Sequence, residues 1–484
     1  MAFLALVVVN GAIADPSTDD VRAAMREASD FMANTVALHG GYLFNYSADL
    51  SEKYGEIPAR PTQIWVQDAT PQIGELFLDA WSFTGDSAYL DYARRAADAL
   101  IYGQHPLGGW HYFIDFDMPG LDEWYEKKAS RYKWGYEEYR HYYGNCTYDD
   151  NTTQGATRFL LRYYMATLDA AYREPLERAL NFILISQYPN GAWPQRYPLR
   201  YEFVHDGLPD YTSLYTMNDN SMRDIIRVLV EAWEKLGNEE YLKAAKRGMD
   251  FMILAQGPQD QAGWAEQYDM NMRPAWARTH EIASYMPRQS VQVMEQLMTF
   301  YLLTGDRRYL SPIPAGINWL KSSSYGTNDD GLYQMARYYE PGTNNPLYQH
   351  KTDKVNEEGY GLYLWDNDGS TVSGGWNYTL VDIDGLSRQY ENISTLTPEE
   401  ARSRYTRMKN APPSRPDIDP EAVEKLIEAL DGRGAWIEDI SVHDSTLVML
   451  QDRPNKTIKG ISTRRFRSHM RLLLDYLRMK EGSR

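Results

Sequence analysis

Three short clusters carry the residues best suited to chemistry. They are Gln67-Asp68 in "QDATPQIGE", Asp149-Asp150-Asn151 in "YDDNTTQGA", and Asn218-Asp219-Asn220 in "MNDNSM". Carboxylate and amide oxygens are hard ligands, and Ca2+ takes six to eight oxygens. Two neighbouring clusters, with water and substrate, supply that number, so Asp149, Asp150 and Asp219 are candidate metal ligands. The competing role is helix capping, because Asp and Asn are favoured N-cap residues. One such residue per helix suffices for a cap, and the second and third clusters hold three each.

Two further stretches are rich in cations. Pro274–Ser290, "PAWARTHEIASYMPRQS", holds Arg278, His280, Glu281 and Arg288. Ala336–Lys354, "ARYYEPGTNNPLYQHKTDK", holds Arg337, Glu340, His350 and Lys351. A surface ion pair is the ordinary role of any one of these arginines. Together they would set a basic cluster opposite a metal-capable acidic pair, and a carboxylate polymer needs that arrangement. Trp193 and Trp276 are candidates for stacking on sugar rings, with core packing at a turn as the competing role.

The clusters must be positioned by repeated elements. Each opens an amphipathic helix pair, and a Gly/Trp turn closes it: Gly108-Gly109-Trp110, Gly191-Ala192-Trp193, Gly263-Trp264, Gly374-Gly375-Trp376 and Gly434-Ala435-Trp436. Self-similarity at long period means stacked supersecondary units. Apolar residues such as Ile225, Val228, Leu229 and Ala232 recur at helical spacing, so each helix buries one face. The spacing predicts helices over Asp19–Leu38, Gln72–Thr84, Ser87–Tyr102, Thr152–Thr167, Glu174–Gln187, Ser221–Leu236, Glu239–Ala255, Gln289–Leu303, Asp306–Ser322, Glu421–Leu430 and Arg464–Lys480. Arg337–Tyr390 reads as loops and short strands. The expected fold is all-α: an (α/α) toroid or incomplete (α/α) barrel with a loop-rich cleft face, an open solenoid being the alternative. One domain over 15–484 is expected, with its core at 147–350 and a C-terminal helical extension at 398–484.

The net charge of −17 argues against a nucleic-acid partner, which needs a basic face. It also means that a polyanion requires local cations or a bridging metal. Residues 1–14 combine a short apolar run with an Ala12-Ile13-Ala14 cleavage pattern and read as a signal peptide, so a secreted or periplasmic protein is expected. No stretch is long enough to span a bilayer. The single cysteine, Cys146, leaves no intrachain disulfide. A monomer is expected.

At these residues the chain resembles the family-10 polysaccharide lyases, pectate lyases of (α/α) toroid type. The strings "DDNTTQGATRFL", "SQYPNGAWPQRYPL", "MNDNSMRDIIRVL", "GWAEQYDMNMRPAWARTHE", "SVQVMEQLM" and "ARYYEPGTNNPLY" run in family order over roughly 148–348. The resemblance implies Ca2+-assisted β-elimination on polygalacturonate, with calcium at Asp149 or Asp150 and at Asp219. It implies Arg278 as the base and Arg337 as a substrate-binding residue. A further family arginine falls on Lys351, which keeps the charge but loses the bidentate fork. Where the family has "EPPSLSGSESV" this chain has "EIASYMPRQSV", which places Arg288 at the expected cleft, and residues are inserted between Pro198 and Tyr215. An arginine base implies an alkaline optimum, since its pKa exceeds about 12. The rival functions are a glycoside hydrolase using paired aspartates, a non-catalytic uronate-binding protein, and a repeat scaffold for protein partners.

Overall fold

The computed structural model describes residues 15–55, 59–117, 119–120, 123, 145–199, 204–205, 208–209, 211–277, 280–355, 361–371, 376–411, 417–443 and 455–482. The expected signal segment at 1–14 lies outside them. Helices alternate along the chain between an outer and an inner position. The outer set is α1 (Thr18–Phe31), α3 (Ser87–Tyr102), α5 (Arg173–Ile185), α7 (Glu239–Leu254), α9 (Ile313–Ser322) and α12 (Pro420–Glu428). The inner set is α2 (Thr70–Thr84), α4 (Thr152–Thr167), α6 (Ser221–Leu236), α8 (Pro287–Thr304), α10 (Ile383–Ser394) with α11 (Pro398–Asn410), and α13 (Thr463–Glu481). Inner helices pack side by side, α13 on α2, α2 on α4 and α4 on α6. This is the (α/α) toroid architecture.

The corners between inner and outer helices follow from local chemistry. Gly85, Gly237 and Gly305 end α2, α6 and α8 in the left-handed region, which glycine enters without steric cost. The next residue, Asp86, Asn238 or Asp306, then caps the following helix through its side chain. Leu168 takes the glycine's place at the end of α4, with φ 52°.

The Gly/Trp turns lock one repeat to the next. The indole N–H groups of Trp110, Trp193, Trp264 and Trp436 donate to the carbonyls of Leu100, Ile183, Met252 and Leu426, near the ends of the preceding outer helices. Gly108 and Gly191 have φ of 113° and 98°. A Cβ there would meet the Arg178 or Arg247 backbone carbonyl of the next outer helix at 2.1 Å. The equivalent Gly434 abuts the backbone of Glu27 in α1. With α13 against α1 and α2, that contact brings the last repeat back onto the first.

Three expectations need correction. Trp376 is not a repeat-closing tryptophan: it is 53% exposed, whereas the four others are buried. The segment 337–390 includes a helix, α10, whose few apolar residues (Ile383, Leu386 and Ile393 face inward) hid its period among polar neighbours. The C-terminal extension is not purely helical. Glu438–His443 pairs with Asn455–Ser462, which pairs in turn with Asn45–Ser47.

Candidate active site

The three opener clusters occupy equivalent places before α2, α4 and α6. In each, the aspartate enters a left-handed conformation: Asp68 has φ 45°, Asp150 φ 47° and Asp219 φ 47°. Asn151 and Asn220 follow in the same region. Asx residues tolerate this conformation better than other L-residues. Neither Asn151 nor Asn220 caps its helix through the side chain, so simple capping does not account for the clusters.

The openers are anchored by the next repeat's closing turn. Val66 and Gln67 donate their amides to the Tyr112 carbonyl, Tyr148 to that of Gln195, and Met217 and Asn218 to that of Glu266. Each acceptor lies two residues past a closing tryptophan. The repeat therefore holds the clusters in register at the N-terminal ends of adjacent inner helices, where the helix dipole favours negative charge.

Asp149, Asp150 and Asp219 converge there, with a carboxylate oxygen of each within 4.8 Å of the others. Asp149 is buried, and the other two are exposed. Two like charges about 4 Å apart repel by roughly 1 kcal/mol in water and about 4 kcal/mol near a protein surface. The cluster is therefore matched to a divalent cation, and its all-oxygen donors suit Ca2+. Surrounding side chains fix it. The Tyr112 hydroxyl donates to Asp149 Oδ2 at 2.6 Å, and Gln67 Nε2 donates to Asp150 Oδ2 at 2.6 Å. Gln67 is held in turn by the Trp65 indole N–H at 2.9 Å.

The loop after Tyr268 reaches the same place. Asn218 Nδ2 donates to Glu281 Oε1 at 3.3 Å, and the Ala277 amide donates to the Glu281 carbonyl. Arg278, between them, lies outside the described residues. The strand pair Pro346–Val355 and Gly361–Asp366 covers this loop. Trp365 meets Trp276 and Tyr338 edge-on, Tyr363 meets His280, and Gln349 Nε2 donates to the His280 carbonyl. Lys351 belongs to that strand, opposite Tyr363, and its side chain lies outside the described residues.

Arg337 stacks its guanidinium 3.7 Å from the ring centre of exposed Trp376, and it forms no ion pair among the described residues. Burial pushes the Tyr338 phenol up in pKa; neighbouring Arg337 opposes that shift, and Glu266 and Glu281 add to it. Arg288 is exposed in the first turn of α8. Trp193 is a correction to the expected set. It is fully buried, with its indole bonded to Ile183, and it packs where a Gly248 Cβ would stand, so no sugar can reach it.

Sequence reasoning missed Tyr112 and Arg196. Arg196 is buried and donates from Nη2 to the Tyr112 hydroxyl at 2.8 Å, lying 4.8 Å over its ring. Tyr112's place two residues beyond the closing Trp110 was the available signal.

An α/α enzyme with a carboxylate cluster at the inner-helix N-termini is thus the class that fold and site define. The sequence model of the family described as "Pectic acid lyase" matches residues 120–358, just under half of the chain. That match supports a polysaccharide lyase enzyme. Solved structures similar to it include the family 10 polysaccharide lyase from Cellvibrio cellulosa, at 22% identity and TM-score 0.40 over 69% of this chain and 94% of that one. A mutant of that enzyme in complex with trigalaturonic acid matches at 23% identity and TM-score 0.39 over 57% and 85%. A sugar epimerase from a ruminal bacterium matches at 12% identity and TM-score 0.47 over 96% and 99%. No curated protein matches the chain. No described helix is long and apolar enough to cross a membrane.

Proposed function

We propose that the protein is a secreted pectate lyase that cleaves polygalacturonate by Ca2+-assisted β-elimination. The observation that carries this reading is the convergence of Asp149, Asp150 and Asp219 within 4.8 Å, inside the segment that matches the pectic acid lyases. The proton at C5 of a uronate is a weak acid, and its removal places charge on the C6 carboxylate. A bound Ca2+ would supply Lewis-acid withdrawal of that charge.

The chain's own residues supply the remainder. Asp149, Asp150 and Asp219 would hold the cation. Arg337, pinned on Trp376, presents a fixed positive charge to a substrate carboxylate, and Lys351 and Arg288 are further cations for the polymer. Cations fixed before the reaction stabilise developing negative charge without reorganisation. Arg278 takes the C5 proton in this reading, and a guanidine base requires alkaline pH. On the far side of the C4–O bond, the departing oxygen leaves as a hydroxyl after protonation by water.

The test is the ultraviolet absorbance of unsaturated product from polygalacturonate at alkaline pH, for wild type and Arg278→Ala. Strong signal from wild type, lost in the variant, supports the assignment. Reducing ends without unsaturated product would make the protein a hydrolase. A pH profile centred below neutral would move the base from Arg278 to His280 or a carboxylate.

A further inference from the structure

We infer that Arg196 and Tyr112 form a positioning relay that aims Asp149 at the cation, a role resting on the calcium reading above. The relay is directional. Arg196 has only donors to offer, so its Nη2–H occupies a lone pair of the Tyr112 oxygen at 2.8 Å. The phenol's own proton then points at the carboxylate, 2.6 Å from Asp149 Oδ2. The ring cannot swing away, because the guanidinium lies over its face at 4.8 Å and His111 abuts it edge-on. Tyr112 is 3% exposed and Arg196 is 1% exposed, so water does not substitute for either bond.

Two consequences follow for the cluster. One oxygen of Asp149 is committed to the phenol, which fixes the plane of the carboxylate before any cation arrives. The positive charge on Arg196, two bonds back, also offsets part of the repulsion among three carboxylates. Gln67 repeats the device on the other side: its amide holds Asp150 Oδ2 at 2.6 Å and is itself fixed by Trp65. Outer partners of this kind are worth about 10- to 100-fold in metal affinity.

The experiment is calorimetric Ca2+ titration of wild type, Tyr112→Phe and Gln67→Leu, with melting curves recorded in chelator. Tyr112→Phe keeps the ring under Arg196 and removes only the hydroxyl. The expected result is an affinity roughly tenfold or more weaker in Tyr112→Phe, a similar loss in Gln67→Leu, and kcat restored at saturating calcium. Wild-type and Tyr112→Phe affinities that agree, both proteins being folded by melting, overturn the relay alone. A wild type that binds no Ca2+ overturns the calcium reading and the relay with it. If Tyr112→Phe does not fold, Arg196→Lys gives the second arm, since the shorter ammonium removes the donor to the phenol and keeps the charge; its unchanged affinity would likewise overturn the relay.

Discussion

The opener before α2 and those before α4 and α6 share one backbone and serve different ends. Asp68, Asp150 and Asp219 have nearly the same left-handed φ at the same step before an inner helix. At the first opener the aspartate meets Arg467 of α13, whose Nη1 and Nη2 both lie 3.0 Å from Asp68 Oδ1. At the other two the carboxylates meet one another. Residue identity at the flanking positions makes the difference. Gln67 and Ala69 stand where the second opener has Asp149 and Asn151, and the third has Asn218 and Asn220. A protein cation therefore satisfies the first repeat and seals the seam between the chain's two ends. The second and third repeats use the same turn to gather carboxylates, the cluster proposed above to hold the cation.

Substitutions at the paired aspartates should separate these roles most sharply. Asp219→Asn is expected to lower activity at fixed calcium about a hundredfold or more, because in the proposed site it would remove a ligand and not an outer partner. Its melting temperature in chelator should hold or rise, since one of three mutually repelling charges is gone. Asp68→Asn should do the reverse. Activity at saturating calcium stays near wild type, and stability falls by about 1–3 kcal/mol, because Arg467, 9% exposed at its side chain, loses its carboxylate. A urea titration beside an activity assay checks both. If Asp68→Asn abolishes activity while leaving stability intact, the division between the openers is wrong.

The sequence made much of this legible. Helical spacing located most of the inner and outer helices to within a few residues, since each of those buries a wide apolar face, but it missed α10 and α11, whose inward apolar residues are few. The openers and closing turns were visible because Asx and Gly are demanded where φ is positive. The partners of the carboxylates were not visible. Tyr112 and Arg196 lie 37 and 47 residues from Asp149 by number, and only the register of closing turn against opener brings them together. Trp193 shows the converse failure: a tryptophan at a polar turn suggested a sugar platform, but the turn exists to bury that indole.

His111 gives a smaller effect beside the second opener. Its pKa is held well below the ordinary value by burial first and by the Arg196 charge second. The unfolded chain takes up a proton near pH 6.5 that the folded chain refuses. Stability conferred by the neutral imidazole is therefore full above that pH and is lost as pH falls, by up to about 1.4 kcal/mol per unit. His111→Gln should flatten the acid limb of a plot of urea midpoint against pH; an unchanged slope would assign the acid sensitivity elsewhere.

The smallest effect sets α4 against its neighbours. Leu168, 68% exposed, stands in the left-handed position that glycine fills after α2, α6 and α8. Leu168→Gly should relieve about 1 kcal/mol of strain, less the added freedom of the unfolded glycine, for a net gain of roughly 0.5 kcal/mol. A lower denaturation midpoint would contradict it.

In the proposed reaction the carboxylates gathered by the second and third openers hold the calcium on which elimination depends. The most direct measurement is the rate of unsaturated product formation from polygalacturonate across a calcium series and in chelator, for wild type and Asp219→Asn. The expected result is a wild-type rate that rises with calcium and vanishes in chelator, with the variant near background at the same calcium. Equal rates with and without chelator, or a variant as fast as wild type, would contradict it.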